Sequence, residues 1–155
     1  LINQKIEVIP PLISDFFMQG FVNLKVRQNQ HLQRKLTPDF VIDWLYKKVQ
    51  KQINKVNEIG KNFNYFTPFE SIFEKAEKAK QVISLGTQFG EGWLISGEIL
   101  SFASQGVNHV ISLQPFGCIA NHIVEKGIEK RIKSLCPQMN ILSLDFDSSV
   151  SDVNI

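Results

Sequence analysis

A cysteine and a histidine follow an apolar run in the segment SLQPFGCIANHI, residues 112–123. At the first turn of a helix, unpaired main-chain N–H groups and the positive end of the helix dipole favour the thiolate form of Cys118, which is the form that binds metal or attacks carbon. Gly117 allows the chain to approach a ligand closely, and His122 shares a helix face with Cys118. The pair suits a metal-binding or nucleophilic thiol. The alternatives are a cysteine that packs as a small apolar residue and a His122 that caps, packs or hydrogen-bonds, because two ligands do not complete a zinc site.

Two further segments carry residues with possible chemistry. The segment GTQFGEG resembles a phosphate-binding glycine loop but matches neither GxGxxG nor the P-loop. Gly90 and Gly92 therefore indicate a turn that leads into a helix, with Glu91 either near the positive helix end or in contact with a group across a cleft. In LDFDSS, Asp145 and Asp147 form a carboxylate pair that either binds Mg²⁺ or caps the next helix.

The elements around Cys118 predict a parallel βαβ unit. We expect a strand over Val107–Leu113, a helix from near Gly117 that ends by Pro137, and a strand over Asn140–Phe146. Ligands in such sheets bind beyond the carboxyl ends of the strands, where both QPFGC and DFDSS lie. The predicted fold class is α/β, with a Rossmann-like parallel sheet of few strands and a helical insertion. The helix is expected to bury Ile119, Ile123, Ile128, Ile132 and Leu135.

The preceding part of the chain is predicted to be mainly helical. A short strand at Ile6–Ile9 is expected to precede an aromatic helix whose inner stripe is Leu12, Phe16, Phe17 and Phe21. A lysine-rich helical insertion spans about residues 25–65, in which TPDF starts a long amphipathic helix ended by Gly60. Its inner face is expected to comprise Val41, Leu45, Val49, Ile53 and Val56.

Two more helices are expected between this insertion and the first βαβ strand. The first starts at Thr67 as N-cap, with Glu70 at the capping-box position. It either extends into QVISL or is followed there by a short strand. The second runs from Trp93 and is stopped at Gly106.

Composition limits the class of protein. The 155 residues fit a single α/β domain, and a net charge of +2 with 43 % hydrophobic and 21 % charged residues gives no indication of nucleic-acid binding. No apolar run approaches the roughly 20 residues that cross a bilayer, so we expect no membrane partner and a cytoplasmic location. Two cysteines are too few for a disulfide framework, and Cys136 is interpreted as packing. Because the chain starts at Leu1 and its final residues resemble a helix start, it is interpreted as a domain excised from a larger protein.

Four segments carry a resemblance to a known family. EVIPPLISDFF, GEGWLISGEI, VISLQPFGCIANHIVEKGIEKRIK and LDFDSSVSDVN closely resemble, in the same order, the C-terminal part of large CoA-substrate-specific enzyme activases. These proteins are related to the 2-hydroxyacyl-CoA dehydratases and their ATP-dependent activators. The resemblance covers nearly the whole chain and is weakest in the lysine-rich insertion.

The resemblance implies an iron–sulfur protein that passes a low-potential electron. Cys118 would be a ligand of an iron–sulfur cluster, Gln114, Pro115, Phe116 and Gly117 would shape its surroundings, and Glu91 would line the same cleft. ATP would bind a domain that is missing from this chain. The implied partners are the other domains of the same polypeptide and an acyl-CoA substrate.

One departure limits what the chain does alone. A four-iron cluster ordinarily needs several thiolates, whereas this chain offers one well-placed cysteine. We therefore expect the chain by itself to bind no cluster and to be inactive. The alternatives are a module that binds the phosphates of an acyl-CoA or nucleotide near Gly117 or Gly92, and a purely structural docking domain.

Overall fold

The structure, a computed structural model, describes residues 2–30 and 37–146. After a 3₁₀ turn at Ile2–Gln4 come helices α1 (Ile13–Asn29), α2 (Asp39–Gly60), α3 (Ile72–Ala79) and α4 (Trp93–Ser104). Strand β1 (His109–Pro115), a π-helical segment (Ala120–Glu125), helix α5 (Lys126–Leu135) and strand β2 (Asn140–Phe146) follow. The predicted α/β class is confirmed as a small α/β fold.

The two strands form the parallel βαβ unit that the sequence predicts. They pair in register from His109 opposite Asn140 to Pro115 opposite Phe146, and this is the one sheet among the described residues. The π-helical segment and α5 form the crossover, which packs on one face of the sheet. The carboxyl ends of both strands consequently lie at the same edge, beside the start of the crossover helix.

Helix α4 joins two hydrophobic cores. Trp93 and Leu94 pack with residues of α1 and α3, while Ile95 and Ile99 pack with residues of the crossover helix. Trp93 is fully buried, and its indole N–H donates to the Asn23 side chain at 2.8 Å. Because α4 is buried on most of its circumference, it fixes the helical half of the chain against the βαβ half.

Several predictions for the helical half are wrong in face or position. Residues 6–9 form no strand and pair with no other strand among the described residues. The prolines that follow lack an N–H group and cannot extend a ladder. In α1 the buried apolar residues are Met18 and Val22, whereas Phe17 is 71 % exposed. The helix α2 does end at Gly60, but its one buried apolar residue is Ile42, which is not a member of the predicted inner face. The exposed members of the predicted inner face are Leu45, Val49 and Val56.

Helix α3 starts four residues later than predicted. Ser71 is the N-cap, and it forms a capping box with Glu74 instead of the predicted pair of Thr67 and Glu70. The Asn57 side chain donates to the Phe69 carbonyl and accepts from the Phe69 N–H, at 3.1 and 2.8 Å. This contact from α2 holds the preceding segment outside the helix. The segment QVISL is neither helix nor strand but a series of turns.

In its first part, up to Val124, the crossover helix buries a face one residue away from the predicted one. Ile128 and Ile132 are buried as expected, but Ile119 and Ile123 are 57 % and 67 % exposed. The prediction took a five-residue step from Ile123 to Ile128, whereas the helix buries residues at steps of four, Ala120 and Val124. None of the described helices is long and apolar enough to span a membrane.

Candidate functional site

A tight turn carries the chain from β1 to Cys118. The Cys118 N–H donates to the Pro115 carbonyl at 3.0 Å, and Gly117 has a φ of +81°. This is the conformation that favours glycine at the third position of a type II turn. A Cβ added at Gly117 would have no neighbour within 4 Å. The glycine is therefore required by its backbone angle and not by a close approach to another group.

The Cys118 thiol is half-buried at the carboxyl edge of the sheet. On one side it packs against the core beneath the sheet, and its Sγ donates to Oδ1 of Asn121 at 2.9 Å. The Cys118 carbonyl accepts from the His122 N–H at 3.0 Å and so begins the crossover helix. The thiol thus lies at the helix start that the sequence predicts, and it is not enclosed by apolar side chains.

The imidazole of His122 does not pair with the thiol. Its Nδ1 lies 3.1 Å from the Cys118 carbonyl oxygen, which only accepts hydrogen bonds, so Nδ1 is the donor in this contact. Its Nε2 faces Oδ1 of Asp145 at 3.6 Å, and Lys126 Nζ lies 3.5 Å from the other carboxylate oxygen. His122 therefore connects the helix start to the end of β2. Asp147, the other member of the predicted carboxylate pair, lies outside the described residues.

Gln114 lies beneath the sheet. It is fully buried, and its Nε2 donates to Glu125 at 2.9 Å. Glu125, which is 2 % exposed, also accepts hydrogen bonds from the hydroxyl groups of Ser112 and Ser143. The Oε1 of Gln114 has no hydrogen-bond partner. Glu125 was missed at the sequence level, although polar residues at the inward positions 112, 114 and 143 indicate a buried polar partner.

The loop that carries Glu91 packs against the crossover helix. A Cβ added at Gly90 would lie 3.6 Å from the Cβ of Ala120, two residues after Cys118. Gly92 has a φ of +40°, and a Cβ there would lie 2.2 Å from the Thr87 carbonyl oxygen. The structure thus brings the loop of Glu91 to the first turn after Cys118, and only glycine fits at position 92.

Main-chain N–H groups next to Gly92 and Gly117, the two glycines at which a phosphate was considered, already have acceptors within the chain. The Trp93 N–H donates to the Thr87 carbonyl at 2.9 Å, and the Leu94 N–H donates to the Glu91 carbonyl at 2.7 Å. The Cys118 N–H is taken by Pro115, as described above. These bonds leave fewer donors for a phosphate at either glycine.

A second titratable group, also missed at the sequence level, lies on α4. Glu98 is half-buried, and loss of solvation raises its pKa from 4.5 to about 7. Lys75 opposes this shift, whereas the carboxylates of Asp15 and Glu91 add to it. Lys75 itself forms a buried ion pair with Asp15 that joins α3 to α1.

The donor set around Cys118 does not make a complete metal site. No group of three or more His, Cys, Asp and Glu residues within residues 2–30 and 37–146 is arranged to hold a metal ion. Cys136 follows α5 at the far end of the crossover helix, 18 residues from Cys118, which corresponds to about 27 Å along a helix. Both cysteines are free thiols. The chain therefore offers one thiolate at the sheet edge, and a four-iron cluster does not fit these residues alone.

In comparisons with known proteins, no protein-family model, no curated protein and no solved structure matches this chain.

Proposed function

We propose that the chain is a module of an ATP-dependent, dehydratase-like activase, an iron–sulfur protein that takes part in low-potential electron transfer for acyl-CoA chemistry. One observation carries the proposal. A half-exposed thiol lies at the carboxyl end of a parallel strand, at the start of a helix. This is where Rossmann-like sheets bind their ligands, and the proposal takes the βαβ unit as part of such a sheet.

In this proposal the chain contributes one ligand to a shared site. Cys118 supplies a single thiolate, and the remaining ligands come from other domains of the same polypeptide. The cluster supplies one-electron transfer when it is bound. ATP binds a domain outside this chain, the substrate is an acyl-CoA, and the protein works in the cytoplasm. The chain by itself is then inactive and holds no cluster.

The residues next to Cys118 act by positioning the thiol. Gly117 permits the turn that ends β1, and Asn121 accepts the thiol hydrogen at 2.9 Å. Asn121 also reaches the Leu113 carbonyl at 3.5 Å with its Nδ2. On deprotonation the thiolate loses its bond to Asn121 Oδ1 and becomes available as a ligand. Glu91, on the adjoining loop, lines the same edge in this proposal.

The test compares the two cysteines in the longer protein that the proposal requires. After anaerobic reconstitution with iron and sulfide, we expect Cys118→Ser to lose bound iron and the visible absorbance of the cluster, whereas Cys136→Ser keeps both. Thermal melts check that the two variants remain folded. Unchanged iron content in Cys118→Ser would contradict the proposal. A second measurement uses the chain alone, for which we expect no stoichiometric iron binding.

A further inference from the structure

The sheet face that points away from the crossover helix carries large aliphatic side chains. Alternation along the strands places Ile111, Leu113, Leu142 and Leu144 on this face, and they are 44, 60, 54 and 38 % exposed. They form two directly opposed pairs, Ile111 with Leu142 and Leu113 with Leu144. We name these four side chains the outer sheet face.

The distribution of polar residues over the sheet is the reverse of that expected for a solvent-exposed outer face. The inward positions include Ser112, Gln114 and Ser143, all bonded to Glu125. Apart from the first and last residue of each strand, the outward positions hold no polar residue. A sheet with one solvated face carries its polar residues on that face, and parallel sheets are ordinarily covered on both faces. The side-chain pattern is therefore that of a face made for burial.

The size of the outer sheet face suits one helix better than a second copy of the chain. Its four residues expose about as much surface as two whole aliphatic residues, which corresponds to roughly 400 Å² at about 200 Å² for each fully exposed Leu or Ile. A stable interface between two proteins needs about 800 Å² on each partner. A helix about 10 Å in diameter, by contrast, covers two strands that lie about 4.8 Å apart.

Charge restricts the chemistry of the partner. None of the outward positions of β1 and β2 holds Asp, Glu, Lys or Arg. We propose that the outer sheet face binds one amphipathic α-helix of a partner protein, through an uncharged stripe of Leu, Ile or Val at positions i, i+4 and i+7. This inference is independent of the function proposed for Cys118.

The test uses a synthetic peptide as the probe. A fluorescein-labelled 18-residue helix of Leu, Ala and Gln with Leu on one stripe is titrated with the chain and followed by anisotropy. A peptide of the same composition with its Leu positions scrambled is the control. We expect Leu113→Glu to weaken binding of the striped peptide by about tenfold or more, since a charge is then buried against the stripe. Ile59→Glu, at a residue of α2 that is 64 % exposed, should leave binding unchanged.

Three results would overturn the proposal. The first is equal binding of the striped and scrambled peptides, and the second is an equal loss of binding in Leu113→Glu and Ile59→Glu. The third is a dimer in sedimentation velocity that Leu113→Glu abolishes, because a second copy then occupies the face. Circular dichroism checks the fold of each variant, and Leu142→Gln repeats the test if Leu113→Glu does not fold.

Discussion

The carboxyl group of Glu98 makes the stability of this chain depend on pH. Its pKa is raised to about 7 by burial, with Asp15 and Glu91 adding to the shift and Lys75 opposing it. In the unfolded chain the carboxyl group returns to its ordinary pKa, 4.5. Between these two values the folded chain binds more protons than the unfolded chain. The contribution of Glu98 to the free energy of unfolding is therefore fully present at low pH and is lost as the pH rises from about 4.5 through 7.

Replacement of Glu98 by Gln removes this dependence. Glutamine is close in shape to a protonated glutamate and carries no charge at any pH. A pKa difference between 4.5 and about 7 corresponds to about 3 kcal/mol at 1.36 kcal/mol per pKa unit. We expect Glu98→Gln to be more stable than the unsubstituted chain by about 3 kcal/mol at pH 9, and equal to it near pH 4.5.

Urea denaturation followed by circular dichroism measures this effect between pH 4.5 and pH 9. Glu77→Gln is the matched control, because Glu77 is exposed and its ion pair with Lys80 lies on the surface. Its free energy of unfolding should stay within about 0.5 kcal/mol of the unsubstituted chain at every pH. A stability difference for Glu98→Gln that is the same at pH 4.5 and pH 9 would refute the reasoning, since no proton is then linked to folding.

Three further substitutions test helices α1, α3 and α5 by the same denaturation measurement. Lys75→Met leaves Asp15 buried without its partner and should lower the free energy of unfolding by about 3–5 kcal/mol. Adding Asp15→Leu to this variant should recover most of that loss. Equal stability of the single and the double variant would contradict the ion pair. Ser71→Ala removes the capping box of α3 and should lower the free energy of unfolding by about 0.5–2 kcal/mol. Thr67→Ala, at a residue outside the helix, should lower it by less. A larger loss in Thr67→Ala than in Ser71→Ala would place the N-cap at Thr67. Gly127→Ala should stabilise α5 by about 0.5–1 kcal/mol, because alanine favours a helix more than glycine does and the added Cβ meets no atom within 4 Å. A loss of stability in this variant would show that the site is crowded.

Local signals predicted the elements around Cys118 closely. The strand over Asn140–Phe146 has the predicted bounds, whereas β1 begins and ends two residues later than the predicted Val107–Leu113. The helix from Trp93 ends two residues before Gly106. Both follow from short apolar runs and from glycine and proline nearby, which act within a few residues. The position of Cys118 between strand and helix was predictable for the same reason.

Contacts between distant segments explain the wrong predictions. The capping signals at Thr67 and Ser71 are alike in sequence, and Asn57 of α2 holds the chain so that Ser71 caps the helix. In α2 the apolar residues cover a wider arc than the single face that α1 and α3 contact, so periodicity alone did not identify which of them are buried.

The sequence by itself determined the order of strand, helix and strand and the place of the thiol at a strand end, because these depend on neighbouring residues. Only the tertiary structure decided which faces are buried, the pairing of Asp15 with Lys75 and the burial of Glu98. Asp15 and Lys75 are 60 residues apart, and no local pattern brings two such residues together. Packing of the helices does so, and the resulting loss of solvent sets the energies of these charges.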